Sequence, residues 1–296
     1  MRPLGPRDVD AVCARVGARV AAAAQRCAML EGTLEREALR RAVTSATPAW
    51  VARSRGRVVG HLATALVDGS RGRAWVPPDG ASFDGPAVLA ALVGAAAPSW
   101  RDAGADGVSA WVYDEPTEVR AWATYGAALT ARRGVRALAS PPAQGRPTGL
   151  RLRRVEAGDL EMALRLDRWG DPPGVAPPDE DERRAEVIDL LEDPEVDYLV
   201  AELDGRALAQ VVVMPLPPRR GSRPGAVHLS AVAVDPDERG RGLGGAVVGA
   251  VLARARASGH AYAEVNWRTL DPRVERFWRA RGFTPTHALV EGPLPD

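Results

Sequence analysis

VDPDERGRGLGGA, residues 234–246, joins the apolar run VHLSAVAV (227–234) to the Ala/Val-rich run AVVGAVLARARA (246–257). The first run is short, mostly apolar and carries three valines, and predicts a strand; the second predicts a helix. Between them stand Gly240, Gly242, Gly244 and Gly245, with Arg239 and Arg241 among the glycines. Glycine lets the backbone approach a ligand closely and take positive φ. The first N–H groups of a helix have no partner within it, and the helix dipole places partial positive charge there. Such a strand-to-helix turn suits a phosphate or pyrophosphate, and two nearby arginines add charge-assisted bonds. A glycine-rich turn alone also serves as a plain connection, so its surroundings decide.

Outward from this turn the chain repeats itself. Each half opens with a short Arg-containing strand and an amphipathic helix, RPLGPRDVDAVCARV (2–16) and RLRRVEAGDLEMALRL (151–166). Each continues with an apolar hairpin, WVARSRGRVVGHLAT (50–64) and YLVAELDGRALAQVVV (198–213), then a strand ending in WVPPD (75–79) or AVDPD (233–237). Trp111, Pro116, Arg120, Trp122 and Gly126 recur at one constant spacing as Trp267, Pro272, Arg276, Trp278 and Gly282. Matches in register over this length argue for tandem copies of one fold. Strands alternating with helices imply an α/β core, with a mixed sheet because the hairpins are antiparallel. The Pro/Gly/Ser-rich stretch LASPPAQGRPTGL (138–150) marks the junction. The predicted division is 1–140, a linker at 141–149, and 150–296.

The 296 residues fit two domains of about 150 each. A formal net charge of +1 leaves no electrostatic footprint for nucleic acid or an anionic membrane. All 39 basic residues are arginine, from which no function follows. Cys13 and Cys27 cannot build a disulfide framework, so a reducing cytoplasm is the expected location. Arg15 and Arg19 interrupt the apolar N-terminal stretch, and the run Ala87–Ala97 covers about half a membrane span. A soluble protein, monomeric or homodimeric, is expected.

The run from Val234 to Gly245 resembles motif A of the GCN5-related N-acetyltransferases, the GNAT family, whose pattern is Gln/Arg-x-x-Gly-x-Gly/Ala. Arg239, Gly242 and Gly244 occupy those three positions, and Val265-Asn266, Phe277-Trp278 and Gly282-Phe283 follow in the family's order. The resemblance covers about 150–292 and reaches the first half only through the repeat. It implies two tandem GNAT-like domains, each a mixed, mostly antiparallel central sheet flanked by helices and splayed between its fourth and fifth strands. It also implies acetyl-CoA as cosubstrate, a small-molecule amine as acceptor, and no metal. The backbone of Arg239, Gly240, Arg241, Gly242, Leu243, Gly244 and Gly245 would hold the CoA pyrophosphate. Val232, Ala233 and Val234 would pair with the pantetheine arm, while Asn266, Arg273 and Trp278 would line the other side. In the first copy, laying Val76 on Val234 puts Ala81 at the leading arginine, Asp84 at Gly242 and Pro86 at Gly244. Each change opposes anion binding, so one cofactor site is expected, in the second copy.

Acyl transfer to an amine needs a group that removes a proton near neutral pH, and histidine, with a pKa of about 6.5, suits it. His228 lies on the motif strand and, by strict alternation, on the same face as Val232 and Val234. The histone-acetylating branch has its general-base glutamate at the matching position. The arylalkylamine branch has a histidine there and a second two residues on, where this chain has Ser230. Glu264, acting through water, is the other candidate base. His61, His260 and His287 are expected to be structural or solvated. Many relatives carry an acid tyrosine where this chain has Trp278, whose indole cannot serve as an acid. Water or Tyr262 would protonate the thiolate, or it would leave unassisted. The alternatives are a non-catalytic acyl-CoA-binding protein and, more weakly, a mycothiol synthase-like enzyme. The acidic segment 171–193 would form the acceptor wall and attract a cationic amine.

Overall fold

The computed structural model describes residues 1–30, 36–45, 48–66, 72–139, 149–171, 177–216 and 223–295. The expected linker, apart from Gly149, lies outside the described residues, as does 172–176 of the acidic segment. The first copy runs β1 (Arg2–Pro3), α1 (Val9–Arg26), α2 (Arg36–Ser45), β2 (Ala49–Ser54), β3 (Arg57–Ala63), β4 (Ala65–Leu66), β5 (Arg73–Val76), β6 (Ala81–Phe83), α3 (Pro86–Asp102), β7 (Gly107–Tyr113), α4 (Pro116–Tyr125) and β8 (Ala128–Ala137). The second runs β9 (Arg151–Arg154), α5 (Leu160–Arg168), α6 (Glu180–Glu192), β10 (Asp197–Leu203), β11 (Arg206–Pro215), β12 (Ala226–Val234), α7 (Leu243–Ala257), β13 (Tyr262–Arg268), α8 (Pro272–Ala280) and β14 (Thr284–Pro293).

The repeat is visible in local chemistry. The hairpins β2–β3 and β10–β11 both turn on two residues at positive φ, Arg55-Gly56 and Asp204-Gly205. Such turns match the twist of the flanking strands. Helices α4 and α8 both start with proline, Pro116 and Pro272, and are followed by Gly126 and Gly282 at positive φ. Proline lacks only an N–H the first turn cannot use, and glycine takes the left-handed conformation that ends a helix.

Among the described residues the strands form a four-stranded sheet, β1-β2-β3-β6, and a ten-stranded one, β4-β5-β7-β14-β8-β13-β12-β11-β10-β9. The centre of the large sheet joins the copies by exchange. The last strand of the second copy, β14, lies between β7 and β8 of the first, and β8 lies between β14 and β13. All three junctions are antiparallel.

Helices cover both faces. On one, Leu89, Leu92, Val93 and Ala96 of α3 pack with Val108, Ala110, Ala288 and Val290. On the same face, Val247, Val248, Val251 and Leu252 of α7 pack with Val227, Leu229, Ala263, Val265 and Trp267. The other face carries α1 and α2, packed on Val51, Val58 and Tyr113, and α5 and α6, packed on Tyr198, Val200 and Val212.

The copies differ where the cofactor loop is expected. Strand β12 is continuous, whereas its counterpart is cut in two at 77–80: β5 pairs with β7, and β6 pairs with β3. The hairpin register places Phe83 opposite Gly60 as Val234 stands opposite Ala209. This corrects the sequence alignment of Val76 with Val234: Ala81, Ser82 and Phe83 take the places of Val232, Ala233 and Val234. Only Asp84 and Gly85 then separate β6 from α3, where 235–242 separates β12 from α7. The connection in the first copy is thus only two residues long, and Pro77 and Pro78 stand where its strand is interrupted.

Candidate active site

The turn after β12 is built from short-range bonds. The Asp235 carboxylate accepts from the Asp237 N–H at 3.0 Å and opens a 3-10 turn, Pro236–Glu238. Arg239 bends back: its Nε donates to the Val234 carbonyl at 3.2 Å and its Nη2 to the Trp169 carbonyl at 2.9 Å. Its guanidinium therefore ties the turn to the end of α5, leaving the backbone to face an anion. Gly240 and Gly242 hold φ of 80° and 84°, and a Cβ on either would meet nothing within 4 Å. Gly242 caps α7, its carbonyl accepting from the Ala246 N–H at 3.1 Å. Leu243 and Gly245 are buried, Gly244 faces Phe277 and Val234, and Arg241 pairs with Glu238 at 3.1 Å. Open space at two positive-φ glycines and a helix N-terminus make this turn suited to an anion.

Beside the turn the sheet opens. Parallel pairing of β12 with β13 runs from Ala226↔Tyr262 to Leu229↔Val265, while both strands continue beyond it. The expected splay is this divergence. Strand β12 also bulges: Leu229 stands opposite Val213, but Val232 stands opposite Val211, so β12 carries one extra residue. The bulge reverses the alternation beyond it. Val232 and Val234 turn to the α7 core, whereas Ala231 packs with Met214 beneath α5 and α6. His228 stands opposite Met214, on that second face. The sequence reading of His228 on the same face as Val232 and Val234 is corrected accordingly.

The second face carries a buried row of charge. His228 and Glu264 are register partners, with Nδ1 and Oε1 3.8 Å apart. Glu264 is 0% exposed, and its Oε1 lies 3.2 Å from Nε of Arg133. The same Nε donates to Oδ1 of Asn266 at 3.3 Å, and the guanidinium lies 4.4 Å over the Trp111 ring. Arg133 and Trp111 belong to the first copy. Sequence reasoning missed both, because motif matching stopped at residue 150. Arg133 stands opposite Asn266 across the exchanged strands.

The remaining expected residues lie apart from this group. Arg273 is at the exposed start of α8, bound to its own N-cap, Asp271. Trp278 is 5% exposed and meets Phe277 and Phe283 edge-on, with ring centroids 5.0 Å and 5.2 Å away. Its neighbour Phe277 is the one that reaches Gly244. Tyr262 sits at the closed end of the β12–β13 pairing, under Arg223. His61 is buried against Ser82, and burial and then the Arg19 and Arg15 charges push its pKa down to about 3. His287 is fully buried beside Tyr113. Among the described residues no cluster of three His, Cys, Asp or Glu side chains could hold a metal, and no helix is long and apolar enough to cross a membrane.

The model of the acetyltransferase (GNAT) family matches residues 162–283, the stretch that holds the glycine turn, the splay and α8. This part of the chain is a GNAT domain. No curated protein sequence matches the chain. In fold the whole chain is similar to a GCN5-related N-acetyltransferase from Sphaerobacter thermophilus, with TM-score 0.64 and 17% identity over 100% of this chain and 95% of that one. It is also similar to a tandem GNAT protein from the clavulanic acid biosynthesis pathway, with TM-score 0.56 and 17% identity over 99% and 98% of the two chains. A GCN5-related N-acetyltransferase from Kribbella flavida gives TM-score 0.53 and 18% identity over 81% and 88%.

The wall of the GNAT domain under α5 and α6 is partly self-neutralised. Buried Arg183 binds Asp171 at 2.7 Å and also binds Asp167. Asp167 in turn accepts from Gln210, which accepts from the Tyr198 hydroxyl at 2.8 Å. One arginine faces two half-exposed carboxylates there, so the group keeps one net negative charge.

Proposed function

We propose that this protein is an acetyl-CoA-dependent N-acetyltransferase that acetylates a primary amine of a small molecule by direct attack in a ternary complex. Its cofactor site would lie in 150–296, with residues 1–140 forming a degenerate copy that holds none. The observation that carries the reading is the His228–Glu264 pair on the penultimate paired rung before the splay. GNAT membership of 162–283 supports acetyl transfer.

Bound acetyl-CoA supplies the thioester carbonyl. The backbone of 239–245 would hold the pyrophosphate, and Val232 to Val234 would pair with the pantetheine arm. An incoming ammonium group first loses a proton, and Nε2 of His228 would take it while Nδ1–H faces Glu264. Glu264 is buried and ion-paired, so its role in this reading is to hold the ring and stabilise the imidazolium rather than to act alone as base. The amine lone pair then forms the C–N bond, the C–S bond breaks, and its electron pair leaves on sulfur. A thiol with a pKa of about 8.5 leaves as thiolate without a dedicated acid and takes its proton from water. His228 would pass the first proton to solvent before attack, and so would be free to take the second, which the nitrogen loses as the amide forms. The net negative charge around Asp167 and Asp171 suits a cationic amine. We place the enzyme in the cytoplasm, as a monomer or homodimer.

Burial of Trp278 in the α8 core favours one second reading, an acyl-CoA-binding protein without turnover. Thiol release from acetyl-CoA with a panel of primary amines separates the two. Turnover that falls at least a hundredfold in His228→Ala (about 2.7 kcal/mol of transition-state stabilisation) supports catalysis. CoA binding with no thiol release on any amine would support the second reading.

A further inference from the structure

Arg133 is placed by strand exchange. It lies on β8, the last strand of the first copy, which leaves β7 and pairs with β13. Its Nε stands between Oε1 of Glu264 (3.2 Å) and Oδ1 of Asn266 (3.3 Å), and that same Oε1 is 3.8 Å from His228. Trp111, also from the first copy, closes the guanidinium from beneath at 4.4 Å. Arg133 is 7% exposed and Glu264 0%. A carboxylate removed from water in this way stays ionised only with a charged partner and well-placed donors. The planar guanidinium supplies both in a fixed geometry, which an ammonium on a flexible stem does not.

We propose that Arg133 is a positioning residue for the site in the second copy. Its guanidinium holds Glu264 as a carboxylate in one rotamer behind His228, and it fixes the Asn266 amide with its oxygen turned inward. The first copy thereby completes the active site of the second. The proposal rests on the reading of His228 as base.

The test uses the full chain with Arg133→Met and Arg133→Lys. The imidazole titrations of histidine-labelled protein, without cofactor, are followed by NMR, and the His228 signal is assigned by its loss in His228→Ala. Arg133→Met removes a positive charge near the imidazolium, so the His228–Glu264 pair should take up its first proton about one pH unit higher. The acid limb of kcat/KM should move up with it. kcat at pH 7 should fall roughly 10- to 100-fold while the calorimetric affinity for CoA stays within about twofold, the pattern of lost general-base efficiency rather than lost binding. Arg133→Lys keeps the charge, so its titration should follow the wild type while kcat falls severalfold because the fork is lost.

An unchanged titration and pH profile in Arg133→Met, with His228→Ala still inactive, would overturn the proposal and leave the base in place. A shifted titration with His228→Ala fully active would sink the base assignment but keep the charge coupling. Should Arg133→Met fail to fold, Arg133→Lys decides: an unaltered kcat overturns the proposal.

Discussion

Gly242 holds φ at 84° with open space where a side chain would go, so Gly242→Asp tests the cradle at little cost to the fold. Asp is among the residues that tolerate the left-handed region, at roughly 1–2 kcal/mol. Its carboxylate would meet a diphosphate, and like charges facing each other across a binding site cost several kcal/mol. Acetyl-CoA affinity by calorimetry should drop at least about a hundredfold while the melting temperature stays within a few degrees. Unchanged affinity would remove the pyrophosphate from this turn. His61 offers a second test at this scale. Its folded pKa is lowered to about 3, chiefly by burial, whereas in the unfolded chain it takes a proton at about 6.5. The unfolded state therefore binds more protons between those values, and stability falls as pH falls through that window, by up to about 1.4 kcal/mol per unit. From pH 6.5 to 4.5, urea unfolding should show the wild type losing about 2–3 kcal/mol more than His61→Gln. Parallel profiles would mean that His61 is protonated in the fold.

At the scale of the element, what was legible is what is local. The glycine turn, the proline starts of α4 and α8 and the two positive-φ hairpin turns all follow from residues within a few positions of one another. The bulge in β12 was not legible, because nothing in VHLSAVAV marks it and only the register against β11 reveals the extra residue. The constant spacing of Trp111 and Trp267 likewise does not show which face each takes. Trp267 packs into the α7 core, over Gly134, whereas Trp111 turns to the opposite face, under Arg133. Repetition preserved the residue while the register changed its face. Helix α8 shows the consequence for chemistry. Trp278 occupies the position where the resemblance leads us to expect an acid, and it is wedged between Phe277 and Phe283. Trp278→Ala should cost about 3–5 kcal/mol in chemical denaturation. Trp278→Phe, which keeps an aromatic ring there, should keep thiol release and its pH profile within about twofold, provided the indole has no part in the transition state. A folded Trp278→Phe with severely reduced release would put the indole in the reaction.

Across the whole molecule the two halves are successive in sequence but interleaved in the sheet. Nothing local announces this: β8 and β14 are ordinary strands, and their partners are chosen by long-range packing, such as the Trp267 ring lying where a Cβ of Gly134 would be, at 2.5 Å. Side chains reinforce the exchange. Arg132 pairs with Glu275 at 2.5 Å, Arg136 donates to the Arg281 carbonyl at 2.6 Å, and Arg223 donates to the Leu30 carbonyl at 2.8 Å. A fragment of residues 150–296 holds the whole GNAT match, yet it leaves β13 without β8 and β14 without either neighbour. Unpaired inner strands expose backbone groups and apolar faces that favour association over folding. The isolated fragment should therefore be aggregated or partly unfolded by circular dichroism and size-exclusion chromatography, with no calorimetric response to CoA. Co-expression with residues 1–149 should restore a one-to-one complex that binds CoA within a few-fold of the intact chain, because the strands can still exchange without the covalent link. A monomeric, folded 150–296 with full CoA affinity would show instead that β13 and β14 can pair within their own copy, and that the exchange is a consequence of tethering rather than a condition of the fold.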